Sequence, residues 1–165
     1  MNKTKRFRPH DVARLDRADG TVLLTSNLPL GPVARRTGDW LHHWAGAAGD
    51  RVFLAERSGA GWRGESYRAT LQKVQAIASA LLARGLNADT PILIMSGNSL
   101  DHALLSFAAQ YVGIPTVPVA EQYALIEAAH GRLKQAIEMI RPAMAYVSCS
   151  SQFDAALRLD ALNGV

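Results

Sequence analysis

The chain has 165 residues, 48% of them hydrophobic and 19% charged, enough apolar material for one packed domain and too much for a disordered chain. It has no run of eighteen uninterrupted apolar residues, so no membrane-spanning helix is expected; a single cysteine, Cys149, excludes an internal disulfide framework and a cysteine-based zinc site. The net charge of +4 sits entirely in the first seventeen residues, where Lys3, Lys5, Arg6, Arg8, Arg14 and Arg17 face only Asp11 and Asp16.

This basic arm reads as solvated rather than phosphate-binding, because no aromatic beyond Phe7 is interleaved with the charges and no basic helix follows. Neither a nucleic-acid nor a membrane partner is expected. A secretory signal is not expected either, since no apolar segment follows the positive charges, and a lone thiol fits a cytoplasmic protein.

In chain order, Val12 to Asp16 and Thr21 to Thr25 flank Ala18-Asp19-Gly20, a hairpin signal because glycine accepts positive φ. Asn27 to Pro32 is a proline-interrupted linker, so residues 1–32 form an arm, hairpin and linker, and residues 33–165 a separate domain. A helix is expected from Thr37 towards Gly49, carrying Trp40, Leu41 and Trp44, and then a second hairpin, Val52 to Arg57 with Gly61 to Gly64. The three tryptophans, Trp40, Trp44 and Trp62, read as packing residues.

Ser66 is positioned to cap a helix running to Arg84, where Tyr67, Leu71, Val74, Ala78 and Leu81 mark one face and Gly85 stops it. Pro91 to Met95 is wholly apolar, as in a strand buried on both sides. Ser96 to Ser99 turns the chain into a helix with Asp101 in its first turn and Gly113 at its end. Ile114 to Val119 is a strand near an edge, given Pro115 and Pro118. One helix is expected from Leu125 to Ile140 with Ile126, Ala129, Leu133, Ala136, Ile137 and Ile140 inward. A strand at Ala143 to Val147 follows, then a last helix capped by Ser150 or Ser151. This alternation implies an α/β fold, a layered parallel sheet flanked by helices and preceded by a β-hairpin arm.

The spacing of polar residues reveals no active site. Ser96-Gly97-Asn98-Ser99 lies where open α/β sheets place ligands, yet it has one glycine, and neither dinucleotide nor P-loop glycine patterns occur, so a structural cap is the better reading. His42 and His43 point about 100° apart on a helix and are poor joint ligands. His102 lies beside the Ser96–Ser99 turn; His10 and His130 have no metal-binding spacing around them. Cys149 has no basic neighbour in sequence and reads as an inert, half-buried thiol. No catalytic, cofactor-binding or metal-binding residue is assigned.

Glu65-Ser66-Tyr67, the helix to Ala83-Arg84-Gly85-Leu86, Pro91 to Ser99, His102 to Leu105, Gly113-Ile114-Pro115 and Val117-Pro118-Val119 together resemble the opening of the AMP-forming acyl-CoA synthetases. Asp19-Gly20-Thr21, Pro29-Leu30-Gly31, Trp40 to Trp44 and Asp50 to Arg57 resemble feruloyl-CoA synthases in particular. The family's Pro-x-Ser-x-x-Tyr stretch reads here Pro118-Val119-Ala120-Glu121-Gln122-Tyr123, keeping the tyrosine but not the serine. The resemblance implies an acid–thiol ligase that adenylates ferulate or a related aromatic acid with ATP and Mg²⁺ and passes the acyl group to CoA. The family's phosphate loop, ribose-binding acid and lid lysine match no segment of this sequence. The chain is therefore expected to be an amino-terminal piece, incomplete as an AMP-binding domain from 33 to 165 and inactive alone. The alternatives are a free-standing doubly wound nucleotide- or flavin-binding module, or a non-catalytic scaffold.

Overall fold

A computed structural model describes residues 10–165. Residues 1–9, with Lys3, Lys5, Arg6 and Arg8 of the basic arm, lie outside the described residues. The chain divides into two compact units at Ala34–Arg35.

The first unit is a hairpin of β1 (Val12–Asp16) and β2 (Val22–Ser26), antiparallel with Arg14 opposite Leu24. Its turn forms as the Asp-Gly pair dictates. Gly20 has φ of 83°, and the Asp19 carboxylate accepts the Thr21 N–H at 2.9 Å, which holds that carboxyl below its ordinary pKa. The second strand begins one residue later than the sequence suggests.

The second unit is built from α1 (Thr37–Ala47), a hairpin of β3 (Val52–Ser58) and β4 (Gly61–Ser66), then α2 (Tyr67–Ala83), β5 (Ile92–Met95) and α3 (Leu100–Tyr111). It continues with β6 (Thr116–Pro118), α4 (Gln122–Leu125), a 3₁₀ turn at Glu127–Ala129, α5 (His130–Ile140), β7 (Met144–Val147), α6 (Asp154–Leu157) and a closing 3₁₀ turn at Asp160–Leu162. β5 is the centre of a parallel sheet in the order β6-β5-β7.

All four residues of β5 are fully buried, and the strand's period of two splits them between two cores. Ile92 and Ile94 join Leu41, Val74, Leu81 and Leu104 from α1, α2 and α3. Leu93 and Met95 join Ala124, Leu133, Ile137 and Phe153 on the opposite face. Each such side chain contributes about 1.5–3 kcal/mol of burial, so one short strand ties the two halves together. Ser66 caps α2 by accepting the Ala69 N–H at 3.2 Å, and Gly85 at φ 78° closes it, both as the sequence indicates.

Three expectations fail. The single helix from Leu125 to Ile140 is broken: Ile126 is extended, at φ −109° and ψ 112°, and half-exposed, and the His130 ring bonds the Ala124 carbonyl at 3.1 Å. Leu133 and Ile137 remain the buried face of α5, whereas Ile126 does not turn inward. The last helix starts at Asp154 with Phe153 at its N-cap, so neither Ser150 nor Ser151 caps it. The tryptophans are not core: Trp40 and Trp62 are exposed, Trp44 partly so, with Trp44 stacked on Tyr67 at 6.0 Å and Arg57 lying over the Trp62 ring at 4.6 Å.

Thr70 of α2 is fully buried, and its hydroxyl has no partner among the described residues. An unsatisfied buried hydroxyl costs about 1–3 kcal/mol. Thr70→Val is therefore expected to raise the urea midpoint, by about 1 kcal/mol of stability; a lower midpoint would show that the hydroxyl is bonded.

Candidate functional site

The carboxyl end of β5 is where a parallel sheet of this kind opens to ligands. There Ser96 is buried, its Oγ 3.0 Å from the Gly97 carbonyl and 3.1 Å from His102 Nδ1. Ser99 caps α3, its hydroxyl accepting the His102 N–H at 3.1 Å, as the sequence suggests. His102 thus lies in the first turn of α3 and folds back onto the turn that precedes it.

A residue distant in sequence completes the arrangement. Glu56, on β3, accepts the Leu100 N–H through Oε2 at 2.6 Å. Its other oxygen takes Arg63 Nη2 at 2.6 Å, and Arg63 reaches Asp101 at 3.9 Å. Arg63 lies directly opposite Glu56 in the β3–β4 register, so the hairpin presents a ready-made ion pair to the head of α3. The positive end of that helix is already neutralised by a carboxylate of the same chain. Tyr146, at the end of β7, faces the same cluster. Burial, with the Asp101 and Glu56 carboxylates nearby, raises its phenol above the ordinary range, a contact with the Ser99 hydroxyl opposing them. Glu121, the residue after the missing family serine, lies so close to Gly97 that a Cβ there would come within 3.1 Å of its carboxylate.

Two shallow clefts flank this turn. One of about 290 Å³ runs between β3 and α3 past Leu54, Glu56, Asn98 and Ala103. The other, of about 390 Å³, follows α3 past Asn98, His102, Phe107 and Gln110. The remaining histidines are elsewhere: His42 bonds the Tyr111 hydroxyl at 2.7 Å, while His43 meets Trp44 edge-on. Among the described residues no group of three or more His, Cys, Asp or Glu could hold a metal ion. Nor is any helix among them long and apolar enough to cross a membrane.

Cys149 departs from expectation. It is exposed, its Sγ 3.2 Å from the Ser151 hydroxyl; that contact, and then the backbone N–H groups of Gln152 and Ser151, hold its pKa below the ordinary thiol value. The missed signal was the serine two residues on. Glu56 was missed because its partner lies 44 residues away, although an acid facing an arginine across a hairpin was visible in the pattern.

A family model described as AMP-binding enzyme matches residues 41–147. No curated protein matches the sequence. Among solved structures, the chain is similar to an inhibitor-bound amino-terminal domain of FACL13 from Mycobacterium tuberculosis, with a TM-score of 0.66, 17% identity, and 80% of this chain and 32% of that one covered. It is also similar to a fatty acyl-adenylate ligase from Legionella pneumophila in complex with acyl adenylate and pyrophosphate, with a TM-score of 0.61, 15% identity, and 68% and 20% covered. The amino-terminal subdomain of NpsA from Klebsiella oxytoca, bound to 3-hydroxyanthranilyl-AMSN, gives a TM-score of 0.60 at 16% identity, with 71% and 28% covered. The chain therefore spans about a fifth to a third of those structures.

Glu56→Ala removes a charged hydrogen bond from the head of α3 and strands Arg63, and a bond to a charged group is worth about 1.5–3 kcal/mol. A loss of about 2 kcal/mol is expected in urea unfolding; no loss would show that the pair is idle. For Cys149, whose folded pKa is lowered, the thiolate forms at lower pH than in an ordinary cysteine. Ser151→Ala removes the largest cause, so the midpoint of the pH–rate profile for iodoacetamide alkylation is expected to move upward; an unmoved midpoint would contradict the assignment.

Proposed function

The chain belongs to the AMP-binding enzyme family, with the α/β fold of the amino-terminal part of adenylate-forming ligases, and from that premise we propose that it is the amino-terminal scaffold of an acid–thiol ligase. The ligase activates ferulate or a related hydroxycinnamate with ATP to an acyl-adenylate and transfers the acyl group to CoA. The observation that carries this reading is the family match itself, which runs from α1 to the last residue of β7.

The site geometry supports a scaffolding role. The turn after β5 leads into the amino terminus of α3, where Glu56 and Ser99 already accept the Leu100 and His102 N–H groups. A nucleotide- or flavin-binding module would need those N–H groups for phosphate, so the alternative of a free-standing binder loses its main support. The aromatic-acid substrate rests on the feruloyl-type segments, Asp50 to Arg57 above all. Within them Glu56 and Arg57 have structural work, latching α3 and covering Trp62.

The 165-residue chain is expected to give no ferulate-dependent ATP–pyrophosphate exchange and no feruloyl thioester with ATP, Mg²⁺ and CoA. Grafted in place of the equivalent segment of a feruloyl-CoA synthase, residues 35–165 are expected to preserve both. Thioester formation by the chain alone, or a soluble folded chimera with no exchange, would overturn the proposal.

A further inference from the structure

The hairpin of β1 and β2 is exposed throughout except for the half-buried Leu23, and among the described residues no third strand joins it. Leu15 and Leu24 stand 59% and 68% exposed. A two-stranded hairpin of this kind is marginal in water and gains stability from further strands or a covering layer. Its hydrogen bonds show what each edge offers. The Asn27 N–H donates to the Asp11 carbonyl and the Arg17 N–H to the Thr21 carbonyl, both at 2.9 Å, so the odd-numbered residues of β1 turn their backbone groups towards β2. Val12, Arg14 and Asp16 turn theirs to the outer edge, where no strand meets them.

That outer edge carries one charge of each sign. Arg14 and Asp16 lie two residues apart on one face of β1, exposed and paired at 2.7 Å. Charges on an edge deter a generic incoming strand, but this pattern is complementary to an antiparallel copy of β1 itself. With Leu15 on the two-fold axis, Arg14 faces Asp16 of the partner subunit and Asp16 faces Arg14 of the partner subunit. The backbone agrees with this register. Arg14 and Asp16 are residues whose N–H and C=O groups point outward, so each such pair exchanges both hydrogen bonds, and the two Leu15 residues form the closer, non-bonded pair with Cα atoms about 4.5 Å apart. Sliding by two residues either way would set Arg14 against Arg14, or Asp16 against Asp16, and like charges directly opposite are destabilising.

We propose that the outer edge of β1 is a contact between two copies of this chain, which pair β1 with β1 about a two-fold axis and join their hairpins into a four-stranded antiparallel sheet, in the order β2-β1-β1-β2. The contact is isologous, so each Arg14–Asp16 pairing occurs twice. Leu15 lies opposite Leu23 within each hairpin, so the joint also aligns four leucines in one row across the new sheet. The outer edge of β2 is the competing surface. It offers Val22, Leu24 and Ser26, with no charge to select a partner or a register. Five residues on each side make a contact smaller than the about 1,200–2,000 Å² of a standard interface, so the dimer forms in a concentration-dependent way.

Sedimentation equilibrium of the 165-residue chain tests this. The weight-average mass is expected to rise with concentration from 17.8 kDa towards twice that value. Arg14→Glu sets Glu against Asp across the joint, and Asp16→Arg sets Arg against Arg, so each variant alone should associate at least tenfold more weakly. Mixed in equal amounts, the two variants should regain the original association, because every facing pair is then of opposite sign; a variant that had merely lost its hairpin could not be rescued in this way. In a Cys149→Ser background, Leu15→Cys should crosslink two copies on mild oxidation, since facing Cα atoms about 4.5 Å apart lie within disulfide reach, whereas Leu24→Cys should not. A chain that stays monomeric up to about 1 mM, or a mixture no more associated than its components, would overturn the proposal. So would single variants that dimerise as tightly as the original chain, or crosslinking of Leu24→Cys in place of Leu15→Cys.

Discussion

Burying β5 on both faces is the constraint from which the rest of the unit follows. A strand of four apolar side chains has no face to give to water, so a helical layer must lie on each side. The chain supplies α2 and α3 for Ile92 and Ile94, and α5 with Phe153 for Leu93 and Met95. Those crossovers leave the carboxyl end of β5 open, and there Glu56, Arg63, Ser96 and His102 form a polar cluster.

That polar cluster serves the fold before it serves chemistry. Glu56 neutralises the head of α3, Arg63 holds Glu56, and Ser96 ties His102 to the turn. Glu56, Arg63, Ser96 and His102 are each engaged by a neighbour in the same chain. Such a self-satisfied platform fits the scaffolding role proposed above.

Much of this was legible in the sequence, and for local reasons. Ser66, Gly85, the Asp-Gly turn and the apolar run to Met95 each act within a few residues, so the hairpins, α2, β5 and α3 could be placed. The break at Ile126 was not legible, because the apolar spacing from Ile126 through Ala129 to Leu133 continues a helical period. The chain turns at Ile126, and the His130 ring bonds back to the Ala124 carbonyl across that break. The exposure of the tryptophans and of Cys149 was misread for a related reason: such residues are usually buried, while here Trp44 stacks on Tyr67, Arg57 covers Trp62 and Cys149 meets the Ser151 hydroxyl at the surface. The Glu56 latch joins positions too far apart for any periodic pattern to register.

If β5 couples the two half-cores, damage to one must be felt in the other. Leu93 packs only in the cluster of α5 and α6, whereas the three tryptophans lie on α1 and β4. The direct measurement is urea unfolding of Leu93→Ala, followed at once by tryptophan fluorescence and by helical circular dichroism. The account predicts a loss of about 2–5 kcal/mol with both signals moving to the same lower midpoint. A tryptophan midpoint left where it was, while the helical signal shifts, would contradict it.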